Sequence, residues 1–170
     1  MSDTPIETER KFLILMPDIK KLLTISGTTE KKIIQTYLLS SKEETARVRK
    51  ITQNKNTCYV KTVKKRISDL SHFENEYEIS KEEYESELKK RDTAKADIEK
   101  TRYCVPFKNH ILEIDVYPFW NDRAILEIEL RDENEDIEIP SFISVIKEVT
   151  SDKRYKNTNL ALKIPIDNIV

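Results

Sequence analysis

The chain has 170 residues, of which 36% are charged and 38% apolar, and its 30 Lys and Arg residues nearly balance its 31 Asp and Glu residues. The net charge of −1 argues against a general nucleic-acid-binding protein, which usually carries a basic excess. The longest apolar stretch near the N-terminus, Phe12–Met16, is too short to span a bilayer. We therefore expect one domain over residues 1–170, located in the cytoplasm, with no nucleic-acid or membrane partner.

Scarce residue types exclude several kinds of active site. Gly27 is the only glycine, which rules out a Walker loop or a Rossmann fingerprint. The two histidines, His72 and His110, and the two cysteines, Cys58 and Cys104, match no zinc-binding spacing. We interpret both cysteines as buried thiols. Any chemistry must therefore depend on carboxylates, lysines and arginines.

Most of the chain consists of strand-length segments rich in Ile, Val, Thr and Tyr, and polar turns separate them. One such turn is Gln53-Asn54-Lys55-Asn56, which has the composition of a tight connection. The eight predicted strands are, in chain order, Pro5–Leu15, Lys31–Leu39, Glu44–Thr52, Asn56–Lys65, His72–Ile79, Asp97–Pro106, Asn109–Tyr117 and Arg123–Arg131.

Two helices are predicted between these strands. The first covers Asp18–Ser26 and ends just before Gly27, a residue that is common after a helix. The second covers Lys81–Arg91, because Ser80 and Glu83 have the spacing of a capping box at its start.

A third helix is predicted after the last strand. It begins at Pro140 and continues to Thr150, because four apolar residues recur there at helical spacing. These residues are Phe142, Ile143, Ile146 and Val149.

Seven of the eight predicted strands carry charged residues close together on the chain. Residues two positions apart lie on the same face of a strand, and apolar residues such as Val48, Ile114 and Ile128 separate the charges. A sheet with one solvated face also gives such alternation, but it does not require the charges to sort by sign. They do sort, into the pairs Glu7/Glu9, Arg47/Arg49, Lys61/Lys64, Glu76/Glu78, Lys100/Arg102, Glu113/Asp115 and Glu127/Glu129.

A closed barrel with the charged face inside accounts for this sorting. In a barrel the side chains of alternate residues point inward, and the apolar face is then covered from outside by helices. Buried charges are costly unless they are paired or neutralised by ligands. Carboxylate pairs are typical ligands of Mg²⁺ or Mn²⁺, and pairs of Lys and Arg suit an anion with many oxygens, such as a chain of phosphates.

At Glu7-Thr8-Glu9-Arg10-Lys11 the chain resembles the E-x-E-x-K signature of the CYTH superfamily, the triphosphate tunnel metalloenzymes. Further motifs follow in the family's order across essentially the whole chain. They are Arg47-Val48-Arg49, Thr62-Val63-Lys64, Glu76-Tyr77-Glu78, Lys100-Thr101-Arg102, Glu113-Ile114-Asp115 and Glu127-Ile128-Glu129, followed by the tail residues Thr150, Tyr155, Asn157, Leu160 and Ala161. The resemblance implies a mainly β fold of the α+β class, in which a closed eight-stranded antiparallel β-barrel with a charged interior binds a triphosphate.

The resemblance also implies a role for each charged position. The metal, Mg²⁺ or Mn²⁺, is expected at Glu7, Glu9, Asp115, Glu127 and Glu129, with Glu7, Glu9 and Glu129 as the main ligands. The phosphate oxygens are expected at Lys11, Arg47, Arg49, Lys64, Lys100 and Arg102. The catalytic groups are expected to be Glu76, Glu78, Glu127, Lys100 and Arg102; Glu113 fits its motif less well than Asp115.

The activity that we expect is a metal-dependent triphosphatase. Inorganic tripolyphosphate is the favoured substrate, because no sequence feature indicates a nucleobase pocket. The alternatives are a class IV adenylate cyclase, a thiamine or nucleoside triphosphatase, and a non-catalytic module that binds organic phosphates. Whether the protein forms a homodimer is left open.

Overall fold

The computed structural model describes residues 6–169, so Pro5 of the first predicted strand lies outside the described part. The elements are β1 (Ile6–Leu15), α1 (Ile19–Thr24), β2 (Thr29–Leu38), β3 (Glu44–Gln53), β4 (Asn56–Arg66), β5 (Ser71–Ile79), α2 (Lys81–Leu88), β6 (Ile98–Phe107), β7 (His110–Val116), β8 (Arg123–Leu130), β9 (Val145–Glu148), a 3₁₀ turn (Lys153–Tyr155) and α3 (Asn157–Leu160). The eight predicted strands correspond to β1–β8.

The first eight strands close into an antiparallel barrel. Hydrogen-bonded neighbours follow the order β5-β4-β3-β2-β6-β7-β8-β1, and β1 pairs with β5 to complete the ring. The closing contact is short: Ile6 lies opposite Phe73 and Thr8 opposite Ser71. By contrast, β1 and β8 pair along eight residues, from Thr8 to Leu15. The expected closed eight-stranded barrel with few helices is therefore confirmed.

The predicted third helix, Pro140–Thr150, is wrong. The chain there contains the short strand β9 instead, which pairs antiparallel with β1 at Phe12–Ile14. The pairing of β5 with β1 ends at Thr8, so one edge of β1 is free beyond that residue. The backbone groups on this edge need hydrogen-bond partners, and β9 supplies them. Ile143, Val145 and Ile146 are β-branched and fit a strand as well as the apolar stripe of a helix.

The outer face of the barrel carries the main apolar core. Leu22 of α1 is 1% exposed and packs with Phe12 and Ile14 of β1. On the other side, Tyr84 of α2 packs with Leu38 and Val48. Each helix therefore covers part of the barrel wall, as the amphipathic pattern predicts.

The C-terminal segment packs against one end of the barrel. One buried cluster there contains Tyr155 and Leu160 of this segment together with Leu13, Tyr37 and Ile125, which occupy inward-facing positions on their strands. This end of the interior is therefore apolar and filled by side chains, and the charged residues occupy the remainder. Within residues 6–169, none of the helices has the length and apolar character needed to cross a membrane.

Candidate active site

The strand register places the charged residues of the barrel on its inner face. Glu9 lies opposite Glu129, Lys11 opposite Glu127, and Glu127 opposite Glu113 on its other side. These side chains line a cavity of about 1130 Å³. The charged residues of β1–β8 in its wall include Glu7, Glu9, Lys11, Arg47, Arg49, Lys64, Glu74, Glu76, Arg102, Glu113, Glu127 and Glu129.

Glu7, Glu9 and Glu129 form an acidic group on this wall. Burial and the negative charge of Glu127 raise the pKa of Glu9, and burial together with Glu7 and Glu9 raises the pKa of Glu129. Lys64 Nζ lies 3.0 Å from Glu7 Oε2. Among the residues that the structure describes, no Lys, Arg or His forms an ion pair with Glu9 or Glu129.

This acidic group fits a divalent cation by its chemistry. Carboxylate oxygens are the ligands that Mg²⁺ and Mn²⁺ prefer, and a bound cation would offset the repulsion that raises these pKa values. In the arrangement described for residues 6–169, however, three or more Asp, Glu, His or Cys side chains do not converge closely enough to hold a metal ion. Mg²⁺ in proteins is often bound through one or two carboxylates, with water and substrate oxygens as the other ligands.

Asp115 lies beneath the cavity wall, between two cations. Its carboxylate accepts a hydrogen bond from Lys100 Nζ at 2.6 Å and two from Arg102, at 2.7 Å from Nε and 2.8 Å from Nη2. Lys100 and Asp115 have side chains that are 1% and 0% exposed. Burial opposes the ionisation of Asp115, but the charges of Arg102 and Lys100 outweigh it and lower its pKa. Neither Asp115 nor Lys100 lines the cavity.

Glu127 joins this buried cluster to the cavity. It lies 3.1 Å from Lys11 Nζ and 3.1 Å from Arg102 Nη2. Arg102 also donates a hydrogen bond to Glu113. Burial opposes the charge of Lys11, but Glu127 and Glu9 outweigh it and raise the pKa of Lys11. Lys11 and Arg102 therefore remain cationic at the cavity wall.

Arg47 and Arg49 bring further positive charge from β3. Arg49 Nη2 donates to Glu76 Oε2 at 2.5 Å, and Thr62 Oγ1 donates to the same carboxylate oxygen at 2.8 Å. The Nε atoms of both arginines are buried and have no hydrogen-bond partner among residues 6–169. Burial and the charge of Arg47 lower the pKa of Arg49. This part of the cavity therefore has donors available for an anion.

The acidic pair of β5 differs from the sequence prediction. Glu76 lines the cavity, but Glu78 is exposed near the end of β5 and lies outside the cavity wall. Glu74, which the sequence analysis did not select, lines the cavity with its Oε2 2.7 Å from Lys64 Nζ. Burial and a hydrogen bond with Glu7 raise the pKa of Glu74 to about 8. Glu74 and Glu76 are also two residues apart, so the charge pattern contained this pair.

Other cavity residues had weaker sequence signals. Tyr37 is 3% exposed and its hydroxyl accepts a hydrogen bond from Gln35 Nε2 at 2.6 Å. His72 lines the cavity, where burial and the charge of Lys64 lower its pKa to about 4. Lys153 and Lys156 reach the cavity from the C-terminal segment. Tyr37 has no charged residue two positions away on β2, and Lys153 and Lys156 do not lie on strands, so the pairing signal could not select them. His72 does have Glu74 two positions away, but the signal used was a pair of like charges.

The fold and the site together define a closed β-barrel protein with a cavity inside the barrel that is lined by charged residues of both signs. Residues 5–162 match the CYTH domain, and the chain belongs to this family. The resemblance found in the sequence is thereby confirmed.

Solved structures are consistent with this assignment. The crystal structure of the inorganic triphosphatase NE1496 is 29% identical, with a TM-score of 0.58 over 94% of this chain and 96% of that chain. A structure of NE1496 described as a hypothetical protein is also 29% identical, with a TM-score of 0.57 over 94% and 99% of the two chains. PH1819 from Pyrococcus horikoshii OT3, at 16% identity and a TM-score of 0.59 over 75% and 80% of the two chains, shows the fold alone. A search of curated proteins found no match.

Proposed function

We propose that this protein hydrolyses a phosphoanhydride bond of inorganic tripolyphosphate with the help of Mg²⁺ or Mn²⁺. The observation that carries the proposal is a single cavity whose wall contains both Glu9 and Glu129, without ion-pair partners among the described residues, and Arg47, Arg49 and other cations. Such a cavity suits a polyanion bound with a metal ion. The 29% identity to an inorganic triphosphatase over 94% of the chain supports the same reaction.

A substrate made only of phosphates fits the cavity better than a nucleotide. Among the described residues of its wall, Tyr37 is the only Tyr, Phe or Trp, and its side chain is almost fully buried. Trp120 packs edge-to-face on Tyr117, with ring centroids 5.6 Å apart, and does not line the cavity. Apart from the imidazoles of His72 and His110, the described part of the cavity wall therefore has no exposed aromatic ring on which a base could stack.

The cations of the cavity bind the substrate in this proposal. Lys11, Arg47, Arg49, Lys64 and Arg102 donate hydrogen bonds to phosphate oxygens, and the arginines can do so with two nitrogens at once. Asp115 positions Arg102 from below through two hydrogen bonds, and Lys100 donates a hydrogen bond to the same carboxylate. Glu127 positions both Lys11 and Arg102, which it contacts at 3.1 Å.

The carboxylates have two tasks. Glu7, Glu9 and Glu129 would hold Mg²⁺ or Mn²⁺, which when bound supplies charge neutralisation to the phosphate oxygens. Glu76, fixed by Arg49 and Thr62, accepts a hydrogen bond from the attacking water. The water oxygen bonds to the terminal phosphorus, the bond from that phosphorus to the bridging oxygen breaks, and pyrophosphate leaves with the electron pair. The proton of the water ends on the released phosphate, since phosphoryl transfer through a loose transition state needs little general base.

A product assay tests the proposal. The purified protein is incubated separately with tripolyphosphate, ATP and thiamine triphosphate, each with Mg²⁺ or Mn²⁺, and phosphate, pyrophosphate and cyclic AMP are measured. We expect rapid phosphate release from tripolyphosphate that EDTA abolishes. Cyclic AMP and pyrophosphate from ATP would instead identify a cyclase, and no product from any substrate would favour a binding module.

A further inference from the structure

The joint between β1 and β5, which closes the barrel, has few backbone contacts. Among the described residues, β1 pairs with β5 along Ile6–Thr8, whereas β1 and β8 pair along eight residues. Glu9 N also donates a hydrogen bond across this joint to Leu70 O at 3.0 Å. Glu7 and Glu9, two of the three carboxylates assigned to the metal, lie on β1 at the joint. The position of the acidic group therefore depends on a short pairing.

Side chains on the outer face add a chain of hydrogen bonds to this joint. Thr8 and Ser71 lie opposite each other, and their buried hydroxyl oxygens are 2.8 Å apart. Ser71 Oγ donates to Glu133 Oε1 at 2.8 Å, and Ser68 Oγ donates to the same oxygen at 2.5 Å. Both hydrogen bonds lower the pKa of Glu133, which is therefore ionised at neutral pH. We call Ser68, Ser71 and Glu133 the seam latch.

Glu133 connects β5 to the strand on the other side of β1. Strand β8 ends at Leu130, which lies opposite Thr8, and Ser71 lies opposite Thr8 on the other side. The loop that follows β8 therefore brings Glu133 back to β5 at the level of Thr8. Since β8 carries Glu129, the seam latch joins three strands that carry or adjoin the acidic group.

The loop that carries Glu133 is itself held in place on both sides of this residue. Asp132 Oδ1 accepts a hydrogen bond from Asn134 N at 2.8 Å, which closes a tight turn around Glu133. Glu135 Oε1 lies 3.0 Å from Nε2 of His110 on β7. The carboxylate of Glu133 is thus presented to β5 from a fixed backbone.

We propose that Glu133 is a positioning residue, which holds β1 against β5 through the two serines and so keeps Glu7 and Glu9 in place to bind a divalent cation. This inference rests on the proposed metal-dependent function. Neither Glu133 nor the two serines are among the described residues that line the cavity, so the seam latch acts through β1 and not by contact with a ligand. Removing a residue that supports the ligands of a metal site typically weakens metal binding 10–100-fold.

Calorimetric titration of the protein with MnCl₂, without substrate, tests the inference. Glu133→Ala removes the acceptor of both hydrogen bonds and should weaken Mn²⁺ binding about tenfold. Glu133→Gln keeps an oxygen at the same place and should weaken binding only about threefold, because a neutral acceptor makes a hydrogen bond of roughly half the strength. The matched control is Glu138→Ala, which removes an exposed carboxylate of the same loop that pairs with Lys108, and it should leave Mn²⁺ binding unchanged.

Hydrogen exchange measured by NMR separates positioning from a general loss of stability. The reporter is the amide of Glu9, which donates to Leu70 across the joint. In Glu133→Ala this amide should exchange about tenfold faster, while amides between β3 and β4 keep their wild-type rates. Equal acceleration throughout the barrel would mean that Glu133 only stabilises the fold, and it would overturn the inference.

The outcomes distinguish this inference from the proposed function. Unchanged Mn²⁺ affinity in Glu133→Ala, or no Mn²⁺ binding by the wild type, would overturn the inference even if tripolyphosphate is hydrolysed. If the wild type binds Mn²⁺ but hydrolyses no triphosphate, the proposed function alone fails, and a tenfold weaker Mn²⁺ affinity in Glu133→Ala still supports the seam latch. If Glu133→Ala does not fold, Ser68→Ala replaces it; this variant removes one of the two donors and should weaken Mn²⁺ binding about threefold.

Discussion

Replacing Asp115 with Asn should destabilise the protein strongly, although Asp115 does not line the cavity. The carboxylate is fully buried and accepts three hydrogen bonds of 2.6–2.8 Å from Lys100 and Arg102. Asn has nearly the same shape but no charge, so both buried cations lose their main partner. Removing one partner of a buried ion pair typically costs about 3–5 kcal/mol. For a chain of this length that corresponds to a fall in Tm of roughly 6–20 °C.

The measurement is urea unfolding followed by circular dichroism and by the fluorescence of Trp120. Glu148→Gln is the matched control, because Glu148 also pairs with an arginine, Arg10, but on the surface, where the loss should stay below about 1 kcal/mol. Adding Lys100→Met to Asp115→Asn should restore part of the stability, since one unpaired cation is then removed.

An Asp115→Asn variant within about 1 kcal/mol of the wild type would refute this reasoning. It would mean that Lys100 and Arg102 find other partners or water when the carboxylate is lost. In that case Asp115 would not be needed to position Arg102, and the assignment of the buried cluster as a support for the site would fail.

Three further predictions concern the cavity. Glu9→Gln should lower kcat on tripolyphosphate by about 10²–10⁴-fold at saturating Mn²⁺. In the absence of metal the same variant should have a higher Tm, because it lacks a carboxylate whose pKa is raised on folding. Turnover near that of the wild type would exclude Glu9 as a metal ligand. Arg47→Lys should raise the KM for tripolyphosphate about tenfold, because the planar guanidinium is lost, and an unchanged KM would exclude this contact. The pKa of Glu74 is raised from 4.5 to about 8 on folding, so the folded state binds the proton more tightly, and the stability that this group contributes is lost as pH rises through 8. The Glu74→Gln variant should therefore show a free energy of unfolding that depends less steeply on pH between 4.5 and 8. An unchanged slope would contradict the assignment.

The barrel was predictable from the sequence because the charge pattern repeats in seven of its eight strands. Val48 and Ile128 face outward between charged neighbours that face inward, and the same alternation recurs around the ring. Pairs such as Glu9 and Glu129 could not be read from one strand, because their contact depends on the register of β1 with β8. The family resemblance assigned Glu7, Glu9 and Glu129 to one metal site, but the register itself came from the structure.

The acidic pair of β5 shows where a local pattern misleads. Glu74, Glu76 and Glu78 alternate along one strand and therefore share a face, and the resemblance assigned the pair around Tyr77 to the family's motif. Which two reach the cavity depends on how far β5 extends past β1, and the pairing of Glu7 with His72 sets this offset. The offset between two strands cannot be read from the local sequence of either strand. Choosing between the Glu74/Glu76 and Glu76/Glu78 pairs therefore required the structure of the closed barrel.

The C-terminal part of the site appeared in the sequence only through the resemblance, which named Thr150 and Asn157, and its structure was not predicted. Strand β9 has four residues, and α3 also has four, so neither is stable by itself or has a pattern long enough to identify. Their conformations follow from the barrel, which offers a free edge at Phe12–Ile14 and an apolar end at Leu13 and Ile125. Residues placed by such contacts, Lys156 among them, can be found only after the barrel is built.

The interior charges divide into two layers with different consequences for stability. In the buried layer Lys100 and Arg102 lower the pKa of Asp115 and so stabilise its charge, although burial and the charge of Arg102 lower the pKa of Lys100 to about 8. In the cavity layer Glu9 and Arg49 have pKa values shifted towards their neutral forms, which means that folding keeps them charged at a cost. A ligand that carries both signs, a metal ion with a chain of phosphates, recovers that cost on binding. The protein should therefore be stabilised more by metal and tripolyphosphate together than by the sum of the two alone.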